Sequence, residues 1–218
     1  MLMMNLARAQ VIEILPRRLP GLLAVPEGAI GIVVFAHGSG SSRLSPRNQH
    51  VAGGLNEAAL ATLLFDLLLP EEAEDRRNVF DIPLLATRLE EALDWLGNGP
   101  LATLPIGLFG ASTGAAAALI AAARRPDNVS AVVSRGGRPD LAAGALARVQ
   151  APTLLIVGGY DDVVIELNEG AHDMLKCEKR LEIVPGATHL FEEPGTLDAV
   201  IDLAAAWFVR FLGKGSKP

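Results

Sequence analysis

The sequence predicts an α/β fold: one mainly parallel central sheet, opened by an antiparallel hairpin and covered by helices on both faces. Three observations predict it. Two short β-patterned runs at 11–15 and 19–25, split by Pro16 and Arg17, read as a hairpin. From residue 30 onward strand and helix patterns alternate, the mark of parallel strands joined by crossover helices. The strands in the middle of that series are continuously apolar, as strands buried on both faces must be.

The elements follow in order. Residues 30–36 are a β-branched and aromatic run, read as the first buried strand. Residues 46–59 read as a helix, with Pro46 suited to its first turn. A strand over 61–67 follows. Glu71, Glu72, Glu74, Asp75, Arg76 and Arg77 then form a mixed charge run, read by default as a solvated loop, with rimming the pocket as the alternative. Residues 80–96 carry Ile82, Leu85, Leu89, Leu93 and Leu96 at helical spacing and stop at Gly97. The remaining strands are expected at 105–109, 129–134, 153–157 and 180–184. The remaining helices are expected at 112–124, 141–149, 165–175 and 197–212. Only the short helix at 141–149 separates its flanking strands, which leaves no room for a cap domain and predicts an open, shallow site. There is no internal repeat or linker, so 1–218 reads as a single domain with a disordered Gly/Ser/Lys tail at 213–218.

Composition narrows the function. Half of the 218 residues are hydrophobic and 20% are charged, a globular balance. A net charge of -6 gives no electrostatic footprint for nucleic acid or an anionic membrane. No run approaches the length of a transmembrane span, and residues 1–10 lack the apolar core of a signal peptide. A single cysteine, Cys177, allows no internal disulfide, and the expectation is a cytoplasmic protein. The histidines and the cysteine lack metal-ligand spacing. No Gly-x-Gly-x-x-Gly follows the first parallel strand, and there is no Walker lysine, so neither metal nor cofactor is expected. Homo-oligomerisation is left open.

The chemistry centres on Gly110-Ala111-Ser112-Thr113-Gly114, a Gly-x-Ser-x-Gly between an apolar strand and an alanine-rich helix. That context is a nucleophile elbow: the turn strains the serine backbone, and small flanking residues avoid clashes. The Thr113 amide, at the start of the helix, would face developing negative charge. A serine hydroxyl needs a base within reach and a third group to orient the base. Of the four histidines, His189 follows the last strand and precedes the last helix, where a loop can hang over the sheet edge. His172 falls in a predicted helix and His50 near the start of one, so both are assigned to surface or core. His37, in His37-Gly38-Ser39-Gly40 after the first buried strand, is read as bonding its own loop. The Ser39 amide is the choice to complete an oxyanion hole with Thr113, and Gly40 is second. The orienting acid is expected after the strand 153–157: Asp161 is chosen over Asp162, with Asp140 as an outside alternative. The bland reading of both neighbours is helix capping. Gly40, Arg43, Arg135 and Arg138 are candidates for binding substrate, with Arg47 and Asn48 nearby; ion pairing and loop scaffolding compete with that role.

The order Ser112, Asp161, His189 is nucleophile, acid, base. On those residues, together with His37-Gly38-Ser39-Gly40 and Gly158-Gly159-Tyr160-Asp161, the chain resembles the α/β-hydrolase superfamily. Its small size and lack of a cap resemble the dienelactone hydrolase-like group. Dienelactone hydrolases proper use a cysteine nucleophile where this chain has Ser112, which directs the expectation toward serine esterase chemistry. The resemblance implies cleavage of small carboxylic esters or lactones through an acyl-enzyme. The alternatives are a thioesterase, amidase or acyltransferase with the same triad, or a non-catalytic ligand-binding protein of the same fold.

Overall fold

The computed structural model describes residues 9–213. The expectations for the extreme N-terminus and for the tail at 214–218 lie outside the described residues. Eight strands form one sheet: β1 (Gln10–Ile14), β2 (Leu19–Ala24), β3 (Gly31–Ala36), β4 (Leu60–Phe65), β5 (Ile106–Ala111), β6 (Val129–Arg135), β7 (Thr153–Gly158) and β8 (Lys179–Val184). Their spatial order is β1-β2-β4-β3-β5-β6-β7-β8. The hairpin pair β1–β2 and the pair β2–β4 are antiparallel. Every other neighbour pair is parallel. Strands β3, β4, β5 and β7 are buried along their whole length. The outer strands β1 and β8 are largely open, and β8 carries Lys179, Arg180 and Glu182, charges that discourage pairing with another chain.

The continuous apolar strands serve two cores at once, because side chains alternate between the faces. On β3, Ile32, Val34 and Ala36 enter one core, while Val33 and Phe35 enter the other. The first core is closed by α4 (Ile82–Gly97) and α5 (Thr113–Arg124). The second is closed by α1 (Pro46–Glu57) and α8 (Thr196–Leu212), with Trp207 and Phe208 inside it. Helix α5 is buried along nearly all of its length, and its run of alanines lets it lie close to the sheet. Gly107 makes room on the other face, where an added Cβ would come 2.5 Å from the Phe208 ring.

The structure departs from the sequence expectation in two places. Residues 70–79, read as a solvated loop, hold two short helices, α2 (Pro70–Ala73) and α3 (Arg76–Val79). Their order comes from side chains rather than propensity. Asp75 caps α3 through the Arg77 amide, and Asn78 Nδ2 donates to the Glu72 carbonyl at 2.8 Å. Glu72 in turn pairs with Arg88 of α4, whose side chain is only 3% exposed. The expected helix at 141–149 is broken into a 3-10 turn, Pro139–Ala142, and α6 (Ala143–Leu146), because Pro139 starts a tighter turn early. Beyond these, α7 (Asp162–Met174) joins β7 to β8. Nothing larger than the 3-10 turn and α6 lies between β6 and β7, so the C-terminal edge of the sheet carries no cap. Among the described residues no helix is long and apolar enough to cross a membrane.

The tightest fit is at the start of α5. A Cβ on Gly114 would lie 2.2 Å from the Ala36 carbonyl oxygen, and one on Gly110 would lie 2.4 Å from Ala115 Cα. Both neighbours are backbone and cannot swing aside. Gly114→Ala is expected to cost about 3 kcal/mol of unfolding free energy in urea titrations. The same change at Gly53, where nothing lies within 4 Å of an added Cβ, is expected to be neutral or mildly stabilising.

Candidate active site

Strand β5 ends at Ala111, and α5 begins at Thr113, so the whole turn falls on Ser112. Ser112 has φ 51° and ψ -123°, a conformation that side chains rarely adopt and that costs on the order of 1–3 kcal/mol. Three hydrogen bonds hold it there. Its amide donates to the Arg135 carbonyl at 3.2 Å, and its own carbonyl accepts from the amides of Ala115 and Arg138, each at 3.1 Å. The elbow is thereby fastened to α5 and to the loop that follows β6. The first amides of α5 have no partner within the helix, so the positive end of its dipole lies behind Ser112.

His189 stands in the loop between β8 and α8. The loop folds on itself: the Thr188 amide and hydroxyl donate to Glu193 at 3.0 and 2.7 Å, and Phe191 is buried beneath it. It also lies backbone to backbone against the loop after β7. The Tyr160 amide donates to the Ala187 carbonyl at 2.9 Å, and a Cβ on Gly158 would meet that carbonyl at 2.5 Å. This contact places Asp161 under the histidine, and His189 Nδ1 donates to Asp161 Oδ2 at 2.6 Å. With Nδ1 donating, Nε2 is the ring nitrogen able to take a proton. Asp161 occupies the N-cap position of α7, yet its side chain makes no capping bond there. Asp162 is exposed on α7, and Asp140 is taken by Arg138 at 2.7 and 2.8 Å.

Gly136 connects the two sides. It follows Arg135, which pairs with Ala111 in the sheet, and a Cβ there would lie 3.6 Å from His189 Cε1. The histidine ring therefore sits one residue from the strand end beside the elbow. Among the described residues, Ser112 Oγ and His189 Nε2 are not hydrogen-bonded. That contact is often loose without substrate and tightens with it.

The loop after β3 packs against Ser112 from the other side. A Cβ on Gly38 would come 3.0 Å from Ser112 Cβ. His37 fastens this loop to the end of β4. Its Nε2 accepts from the Leu67 amide at 3.1 Å, so Nδ1 must carry the proton, and it donates to the Gly38 carbonyl at 3.0 Å. The Ser39 amide donates to Thr113 Oγ1 at 2.9 Å. That bond ties loop to elbow and engages the amide selected from sequence for the oxyanion hole. Gly40, with φ 71°, lies exposed on the rim.

The remaining candidates are mostly committed to neighbours. Arg43 pairs with Asp66 through both side chain and amide, and Arg47 pairs with Glu192 at 2.9 Å. The Arg138 fork is filled by Asp140. Arg135 is different: it is 4% exposed, its Nη2 reaches Asn48 Oδ1 at 3.3 Å, and the Phe191 ring lies 5.8 Å below its guanidinium. Burial, with some help from Arg47, pushes its pKa down to about 10. His50 pairs with Asp198 across the α1–α8 seam, far from the elbow in the chain's layout. Cys177 lies part-buried beside Thr153, and burial raises its thiol pKa. Among the described residues no group of His, Cys, Asp or Glu is arranged to hold a metal.

Sequence reasoning missed Asp66, Leu68, Val79 and Leu85. With the loop 37–42 they line a cleft of about 250 Å³, on the loop whose Gly38 packs against Ser112. Their only signal was position, since Asp66 and Leu68 follow directly on β4.

Comparisons with known proteins identify the family. The family model described as "Alpha/beta hydrolase domain" matches residues 29–211. A dienelactone hydrolase from Anabaena variabilis is 58% identical and superposes with a TM-score of 0.90, covering 93% of this chain and 96% of that one. Est1E from Butyrivibrio proteoclasticus shares the fold at 17% identity and a TM-score of 0.79, with 94% and 99% of the chains covered. Two Mycobacterium tuberculosis proteins, whose name assigns them provisionally to the phosphoribosyl transferases, are 61% identical over 198 residues. That match covers 90% of this chain, which spans about 45% of their length. The chain belongs to the α/β hydrolases, within their dienelactone hydrolase-like group.

The His37 geometry makes stability depend on pH. Burial pushes its pKa below the ordinary 6.5, outweighing the opposite pulls of the Gly38 carbonyl and Asp66. The unfolded chain therefore binds the proton first, and stability falls as pH drops below 6.5. His37→Gln, which can still accept from Leu67, is expected to flatten that slope when unfolding free energy is followed between pH 7.5 and 5.

Proposed function

We propose that this chain is a serine hydrolase of small carboxylic esters or lactones. Ser112 attacks the carbonyl, His189 Nε2 takes the hydroxyl proton, and Asp161 holds the ring and stabilises the imidazolium. The proton then passes to the leaving alcohol. Water activated by the same histidine releases the acid and restores Ser112. The Thr113 amide, at the positive end of α5, receives the oxyanion. The Ser39 amide joins it by turning from the Thr113 hydroxyl to the charged oxygen, a stronger acceptor.

The single observation that carries this reading is the 2.6 Å bond from His189 Nδ1 to Asp161, made beside a serine held at positive φ. A merely solvated loop histidine has no reason to be paired and oriented next to a strained serine. The uncapped sheet edge supports small substrates over long lipids. The transferase name of the mycobacterial relatives describes proteins about twice as long, of which this chain spans about 45%. One cysteine suits a reducing cytoplasm.

Intact mass after incubation with a fluorophosphonate tests the nucleophile. One adduct is expected on the wild type and none on Ser112→Ala; a wild type that stays unlabelled would sink the proposal. Asp161→Asn is expected to lower kcat on p-nitrophenyl acetate by roughly 10³–10⁴-fold with little change in melting temperature. Asp162→Asn is expected to leave kcat within about twofold, since its side chain is exposed on α7.

A further inference from the structure

The cleft next to Gly38 has a polar side, with Ser39 and Asp66, and an apolar side, with Leu68, Pro70, Ala73, Val79 and Leu85. We infer that this cleft receives the acyl part of the substrate, so that the preferred esters carry a compact apolar acyl group. The inference rests on the serine hydrolase reading and adds the substrate class to it.

The argument is stereochemical. In the tetrahedral intermediate three groups leave the reacting carbon besides Ser112 Oγ. The oxyanion lies against the amide donors, and the leaving oxygen must face His189 Nε2 to collect its proton. The acyl chain takes the direction that remains, away from the histidine. The cleft suits that direction: it is lined by Gly38, which packs against Ser112, and by Ser39, and no residue of the His189 loop lines it.

The outer wall is a built one. Glu72 Oε1 accepts from Arg88 Nη2 at 2.6 Å, and Glu72 Oε2 accepts from the Leu69 amide at 2.9 Å. Asn78 closes α3 back onto the Glu72 carbonyl. The segment 70–79, whose Pro70, Ala73 and Val79 line the cleft, is thereby pinned to α4 by a largely desolvated ion pair. The Arg43–Asp66 pair fills the carboxylate of Asp66, so the lining offers no uncompensated charge to an apolar chain.

The test varies the acyl chain with one leaving group, using p-nitrophenyl acetate, butyrate, hexanoate and dodecanoate, and in parallel varies the alcohol in a set of acetate esters. For the wild type, kcat/KM is expected to rise about tenfold from acetate to butyrate, as two more methylenes are buried, and to fall by dodecanoate. Ala73→Trp fills the cleft from an exposed position on α2. It is expected to cut kcat/KM on butyrate and hexanoate at least tenfold, with acetate and the melting temperature nearly unchanged. Val79→Phe, from α3, is expected to act in the same sense. An acyl profile that Ala73→Trp leaves unaltered, or an effect confined to the alcohol series, would overturn the acyl assignment while the hydrolase reading stands. No turnover of any ester, together with an unlabelled Ser112, would overturn both.

Discussion

Everything at the functional edge depends on one backbone conformation, the positive φ of Ser112. The turn from β5 into α5 is made in a single residue, so strand, helix and neighbouring loop must approach within backbone contact. Gly110 and Gly114 permit that approach, because a Cβ at either would strike main-chain atoms at 2.2–2.4 Å. The strain is repaid by the bonds to Arg135, Arg138 and Ala115, which also fix the loop beyond β6. The same closeness that makes the site rigid makes it intolerant of a methyl group.

The loops around Ser112 are held chiefly by hydrogen bonds and ion pairs, since the apolar cores lie below them. His37 joins the loop after β3 to the end of β4, and the Ser39–Thr113 bond joins it to the elbow. Glu193 folds the His189 loop, and the Ala187 carbonyl binds that loop to the one carrying Asp161. Arg88 anchors the wall of the cleft from within α4. Apart from the local Glu193 contact, each tie joins separate segments of the chain, so the site has its geometry only once the sheet has formed. Arg135 is the exception in kind: among the described residues no carboxylate pairs with it, and the Phe191 ring and Asn48 are its compensation.

Much of this was legible in the chain. The hairpin, the parallel series and the two-sided burial of β3, β5 and β7 follow from apolar patterning, which reports burial directly. The elbow was legible because glycines flanking a serine between strand and helix answer a local steric demand. His189 and Asp161 were legible from their positions after strands, because a parallel sheet gathers all its strand ends on one edge. The segment 70–79 was not legible. Its charges read as solvated, whereas Glu72 is committed to an arginine sixteen residues away on a helix of another layer. The engagement of the Ser39 amide by Thr113, 74 residues on, was hidden for the same reason, whereas ion pairing of Arg43 and Arg138 was among the readings the sequence offered.

The sequence by itself determined the elements, their order and the sheet edge on which Ser112, Asp161 and His189 gather. These are consequences of local sterics and of periodic burial, which act over a few residues. Tertiary structure alone decided which polar groups are already spent on one another, how the wall of the cleft is pinned and how large the cleft is. Those outcomes depend on distances between side chains separated by tens of residues, and ångström-scale proximity across layers leaves no mark in a linear pattern.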